Sequence, residues 1–337
     1  MSQLQYELII YLLLPFLAAL ALGRPVIKTL RHLKSIQSFR ELGPQSHIVE
    51  KVGTPTMGSW IFIIPFLIAA VYYYFNHNIC PNAPLGKCFT AEELLSLDKK
   101  QILISILAFF AAFILGLADD ALKIFKSNYK GLSSKQKLFL QFLISTAVLF
   151  FSGKAFTIAA VIWAFIIIAG ASNAFNLTDG LDGLASLQML AALIAFQAYM
   201  LHLGDWTFFP ISLSLVAVLI AFLVFNLKPA KVFMGDSGSL ALGTIIGVMA
   251  YLKDLEWFLL VFTLIPVLEA SSVVLQVTYF KITKKIHGEG RRLFKMSPLH
   301  HHFELSGFSE NQVVWGFFTI QLIVSLTFFL LLSKLAL

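Results

Sequence analysis

The chain has 337 residues, 58% hydrophobic and 13% charged, with 33 Phe. Soluble domains carry about 25% charged residues, so a water-covered globular surface is excluded. The net charge of +7 does not indicate a nucleic-acid partner, because the basic residues lie scattered through loops rather than gathered in a domain of their own.

Apolar runs close to the ~20 residues that cross a bilayer as helix recur along the whole length. They predict an all-α, polytopic membrane protein, with residues 1–337 forming one integral-membrane domain. Ten spans can be drawn, at about 6–23, 58–75, 101–118, 138–152, 155–172, 184–201, 208–225, 238–252, 257–280 and 311–332. The first is not read as a cleaved signal: no Lys or Arg precedes it, whereas Arg24, Lys28, Arg31 and Lys34 follow it. With the N-terminus outside, 19 of the 25 Lys and Arg fall in inside segments and six in outside ones. That asymmetry orients the chain with both termini outside the cytoplasm. Cys80 and Cys88, in the long outside segment, are placed where a disulfide can form.

The polar signatures all fall on the inside face. Gly53 to Gly58 opens span two, Asp119 and Asp120 close span three, and Lys135 precedes span four. Asn173 to Gly183 follows span five with two Asn, one Thr and two Asp, and reads as a turn because Gly180 and Gly183 each follow Asp. Asn226 to Asp236 joins spans seven and eight, and His300, His301 and His302 lie in the last inside loop. Ten helices would bring these loops to one shared pocket.

Asp119, Asp120, Asp179, Asp182 and Asp236 place five carboxylates on that face. Adjacent helical residues point about 100° apart, so one of Asp119 and Asp120 would face a metal or phosphate while the other engages a Lys or a loop. The bland alternative, a solvated helix end, is weakened because acids at a helix C-terminus oppose the macrodipole. Clustered carboxylates require cations, and hard oxygen donors without Cys favour Mg²⁺ or Mn²⁺. Because Mg²⁺ takes only one or two carboxylates, the others must serve elsewhere. Lys51, Lys135, Lys228 and Lys231 suit a phosphorylated ligand. The three His are a poor zinc site, since consecutive residues do not present three nitrogens to one ion; phosphate contact or loop architecture fits better. Glu269, inside span nine, carries a mid-bilayer cost of about 2.5–3.5 kcal/mol and must face protein or be protonated. Pro266 is expected to kink that helix. Ser237 has no orienting His and Asp around it, so a serine hydrolase is not supported.

These motifs together resemble the polyprenyl-phosphate N-acetylhexosamine-1-phosphate transferases over nearly the whole chain. The resemblance rests on residues 53–58, Asp119-Asp120, 131–135, 173–183 and 233–236, while 296–307 is similar to the muramoyl branch in particular. Departures are modest: Ser59 replaces a frequent Gly, and 286–292 is longer than usual. The resemblance implies transfer of phospho-N-acetylmuramoyl-pentapeptide from UDP-N-acetylmuramoyl-pentapeptide to undecaprenyl phosphate, with release of UMP, dependent on Mg²⁺, at the cytoplasmic side of the bacterial inner membrane. Carried over by position, Asp236 is the metal ligand, and Asp119 the acid-base candidate with Asp120 beside it. Asn173, Asn176, Asp179, Asp182, Asn226 and Phe233 line the nucleotide-sugar pocket, Lys51, Thr56 and Lys135 join it, and the three His sit over the substrate. The rivals are a sister transferase using UDP-N-acetylglucosamine and, from another class, an ion-coupled transporter. A transporter places its charges near the midplane, whereas here all but Glu269 lie at helix ends. No motif decides whether a homodimer forms.

Overall fold

Within hydrocarbon every backbone N–H and C=O must be satisfied inside its own segment, so apolar spans fold as helices. The computed structural model describes residues 9–33, 35, 51, 53–76, 91–125 and 131–335. A π turn at Ile9–Leu13 leads into α1 (Leu14–His32), followed by α2 (Trp60–Asn76), α3 (Ala91–Phe125), α4 (Ser134–Ser152), α5 (Ile158–Thr178) and α6 (Leu184–His202). Then come α7 (Phe209–Asn226), α8 (Asp236–Leu252), α9 (Glu256–Phe262), α10 (Leu264–His287), the short α11 (Leu299–Glu304) and α12 (Glu310–Leu335). Seven of these are long and apolar enough to cross a membrane, and the shorter apolar helices α2 and α8 join them. The protein is an all-helical, polytopic membrane protein.

The organising element is α8, in which every residue from Ser237 to Leu252 is buried. It lies against α3 on one side and α5 on the other. Small residues make this approach close, as is usual where helices pack without a hydrophobic driving force. A Cβ at Gly243 would stand 2.4 Å from the Ala171 carbonyl of α5. On the other side, a Cβ at Gly116 of α3 would stand 2.3 Å from the Asp236 carbonyl. The main chains of three helices therefore meet at α8 with no side-chain layer between them.

Three expectations from sequence need correction. Helix α3 does not close at Asp119-Asp120 but continues to Phe125, so both aspartates project from intact helix. Residues 173–178 belong to α5, and only Asp179 to Gly183 forms the turn, because Asn173 and Thr178 bond back to Ala169 and Ala174 carbonyls in helical register. Pro266 does not kink a continuous span nine. The helix breaks before it at Thr263 (φ −125°, ψ 34°), leaving Pro266 in the first turn of α10, where its missing N–H has no partner to lose. Cys80 and Cys88 lie outside the described residues.

Candidate active site

Two glycines shape the carboxylate cluster. Gly131 (φ +57°) lets the chain turn back over α3; a Cβ there would fall 2.4 Å from Asp119 Oδ1. The Leu132 N–H then donates to that oxygen at 2.6 Å. Gly235 (φ +81°) does the same beside Asp120, where a Cβ would fall 2.7 Å from Oδ2. Asp120 accepts from the Asp236 and Ser237 N–H groups (3.1 and 3.0 Å) and from the Ser237 hydroxyl (2.9 Å). Ser237 also shares a 2.8 Å hydrogen bond with Ser59 of the chain leading into α2. Thus Asp120, projecting from intact α3, is at the same time a carboxylate at the N-terminus of α8, where the dipole favours it.

Asp119 and Asp236 share two ammonium groups. Lys123 Nζ lies 2.7 Å from Asp119 Oδ2 and 3.0 Å from Asp236 Oδ2. Lys137 Nζ bridges the same two oxygens at 2.7 and 2.8 Å. The Ser133–Gln136 capping box sets the start of α4, and Lys137 follows one residue later, pointing inward. Lys135, expected at the site, is instead exposed on the outer side of that first turn. Sequence reading missed Lys123 and Lys137, although Lys123 stands four residues after Asp119, a spacing that places the two side by side on a helix.

The oxygens of Asp119, Asp120 and Asp236 come within 4.8 Å of one another. With all three carboxylates ionised, the two ammonium groups leave one negative charge among hard oxygen donors. That donor set fits a divalent cation of the Mg²⁺ type.

The turn after α5 flanks this cluster. Asn176 donates to Ser239 of α8 at 3.0 Å, which ties α5 to α8 one turn above Asp236. Asn173 donates to Gln141 of α4 at 2.8 Å, a helix–helix contact. Asp179 caps α5; burial, reinforced by the charges of Asp236 and Asp120, pushes its carboxyl up to about 7.

Asp182 and Lys51 belong to a second, closed cluster. Lys51 Nζ lies 2.7 Å from Asp182 and 2.6 Å from Glu310 at the start of α12, and Lys228 reaches Glu310 at 3.0 Å. The Asp182 N–H donates to Glu310 (2.8 Å), and Asp182 accepts from the Ala230 N–H (2.9 Å). Glu310 was not singled out from sequence, because an acid at the first turn of a helix is ordinary. Asn226 is buried and holds the Val232 carbonyl at 3.0 Å. The Phe233 N–H donates to Pro55 and its carbonyl accepts from Gly58, both at 2.8 Å. The Phe233 main chain is therefore held on both sides, with Lys51 Nζ 5.9 Å from its ring centroid. Thr56 is buried and would meet a Gly235 Cβ at 3.0 Å.

The three histidines do not share one target. His300 is buried, its N–H and Nδ1 both 3.1 Å from the Glu269 carboxylate of α10. This answers the mid-span charge: Glu269 faces protein. His300 Nε2 has no hydrogen-bond partner among the described residues and would lie 2.2 Å from a Cβ on Gly180, so it points at the turn after α5. His301 pairs with Glu304 at 3.0 Å, and His302 accepts from the Lys295 N–H at 3.1 Å. A single metal held by all three does not fit these separate partners.

A family model described as "Glycosyl transferase family 4" matches residues 102–253, the stretch from α3 to the end of α8. A phospho-N-acetylmuramoyl-pentapeptide-transferase of Caldanaerobacter subterraneus subsp. tengcongensis is 37% identical over 343 residues, covering 97% of this chain and 99% of the relative. One of Carboxydothermus hydrogenoformans is 39% identical over 342 residues, covering 94% and 95%. One of Staphylococcus carnosus is 37% identical over 336 residues, covering 93% and 96%.

Proposed function

We propose, from the premise that this chain belongs to the phospho-N-acetylmuramoyl-pentapeptide-transferase family, that it moves phospho-N-acetylmuramoyl-pentapeptide from UDP to undecaprenyl phosphate. The products are UMP and lipid I, the first lipid-linked intermediate of peptidoglycan synthesis. The observation that carries this reading is the junction of α3, α4 and α8, where Asp119, Asp120 and Asp236 meet Lys123 and Lys137.

In the reaction a lipid-phosphate oxygen forms a bond to the β-phosphorus of the donor. The bond from that phosphorus to the bridging oxygen breaks, and UMP leaves with the electron pair. Two anions must meet for this to happen, and phosphoryl transfer is accelerated chiefly by charge neutralisation and alignment. Lys123 and Lys137 supply two positive charges at the meeting point. Asp236 would hold Mg²⁺, which when bound polarises the phosphoryl oxygens. Asp120 acts through α8: by fixing the Asp236 and Ser237 N–H groups it sets the position of Asp236.

The same contacts bear on whether an aspartate attacks first. Asp119 Oδ2 accepts from two ammonium groups and Oδ1 from the Leu132 N–H, so neither oxygen is a free nucleophile. A phosphate monoester has its second pKa near 6 and is mostly dianionic at pH 7, needing little help from a base. Both points support direct attack by the lipid phosphate, with Asp119 holding the lysines that receive it. Asn176, Asp179 and Phe233 stand on the donor side. The excess of Lys and Arg on one side of the membrane supports a cytoplasmic site in the bacterial inner membrane, with both termini outside.

The test is UMP release by purified protein with Mg²⁺, undecaprenyl phosphate and either UDP-N-acetylmuramoyl-pentapeptide or UDP-N-acetylglucosamine. Release with the muramoyl donor, abolished by EDTA and restored by Mg²⁺, is the expected result. Release with the glucosamine donor alone would assign the sister activity, and no release with either would refute the transferase reading. A phosphosugar-aspartyl enzyme isolated by acid quench would refute direct attack.

A further inference from the structure

A second phosphate-type cradle lies away from the carboxylates. A cavity of about 450 Å³ between α1 and the end of α7 is lined by Arg24, Lys28, Arg31 and Lys231 over a floor of Ile27 and Phe225. The cations of α1 are spaced four and three residues apart, which puts them on one helix face. Each of them is exposed, and among the described residues none has an ion pair and no carboxylate lines the cavity. Cations at a helix C-terminus are expected from the dipole and from topology alone. Neither effect explains why Lys231, on the separate loop after α7, converges on the same space.

The surroundings specify an amphiphile. Leu17 of α1 continues the cationic face toward the membrane, seven residues before Arg24, and Ile220 and Val224 of α7 are exposed below Phe225. Polar cradle and apolar wall thus stand in the order of a headgroup and its acyl chains. We propose that this cavity binds the phosphate headgroup of an anionic glycerophospholipid from the cytoplasmic leaflet. The bound lipid would also brace the candidate active site, since the Lys231 N–H donates to Phe225 (2.8 Å) and Lys231 stands two residues before Phe233.

The test counts lipid on purified full-length protein by native mass spectrometry, using phosphatidylglycerol, phosphatidylethanolamine or polyprenyl monophosphate as probe. Wild type should retain one phosphatidylglycerol that R24Q/K28Q/R31Q binds with about a hundredfold lower affinity, as near-surface cations contribute additively. Lys231→Gln leaves α1 intact and should weaken the same lipid severalfold, so a misfolded triple variant would not end the test. Equal retention by wild type and Lys231→Gln would overturn the site, as would equal binding of phosphatidylethanolamine. Displacement by stoichiometric polyprenyl monophosphate would transfer the site to the carrier lipid and overturn the assignment. Because binding is read without turnover, the result stands apart from that of the UMP assay.

Discussion

Two of the ionic clusters among the described residues are built from similar residues, and they differ in access. In the first, the Lys123, Lys137 and Asp236 side chains keep 38%, 20% and 19% of their surface exposed. In the second, Lys51, Asp182 and Glu310 keep 6%, 3% and 2%. Lysines that remain partly wet can exchange a carboxylate for an incoming phosphate. A lysine sealed between two carboxylates cannot do so without leaving a buried charge unpaired, which is strongly unfavourable. The first arrangement suits chemistry, and the second suits joining the chain before α2, the turn after α5 and the start of α12.

Substitutions can break this contrast. Asp236→Asn and Lys137→Met should each lower kcat by about 10²–10³-fold, the usual effect of removing one electrostatic contact to a transition state. The unfolding temperature in detergent should change little. Lys51→Met should do the reverse. It leaves Asp182 and Glu310 facing each other and should cost about 3–5 kcal/mol of stability, while activity per folded molecule stays within severalfold. A stable but inactive Lys51→Met protein would merge the second cluster with the first. Glu269→Gln should raise the donor KM about tenfold, the size of one charge-assisted hydrogen bond, because His300 would lose its orientation toward the Gly180 turn. Steady-state kinetics separate that effect from one on kcat.

The smallest effect concerns pH. Asp179 titrates near 7 in the fold against 3.8 in the unfolded chain, so the folded state holds a proton that the unfolded state has released between those values. Stability therefore falls as pH rises from about 4 to 7. Asp179→Asn should flatten that slope, as measured by unfolding temperature across pH in EDTA.

Much of this was readable from the sequence, and the failures have physical causes. Apolar length marked the spans because hydrocarbon leaves the backbone no other choice. The acidic motifs picked out Asp119, Asp120 and Asp236, which the fold brings together. Pattern alone did not distinguish Lys135 from Lys137, because the difference depends on where Ser133 caps α4. Nor did it separate Asp182 from Asp179 three residues earlier. Their fates depend on Glu310, 128 residues after Asp182. Long-range ion pairing leaves no local trace.

Gly116 sits one helical turn before Asp120, where α3 touches the main chain of α8. Carbonyl and Cα radii, rather than interlocked side chains, act there as the gauge between two of the acids and the third. Direct contact between backbone atoms has no rotamers to rearrange, as packed side chains do. The spacing of the three carboxylates is therefore buffered against changes elsewhere in the bundle. Gly116→Ala would be the exception, pushing Asp119 and Asp120 of α3 away from Asp236 of α8.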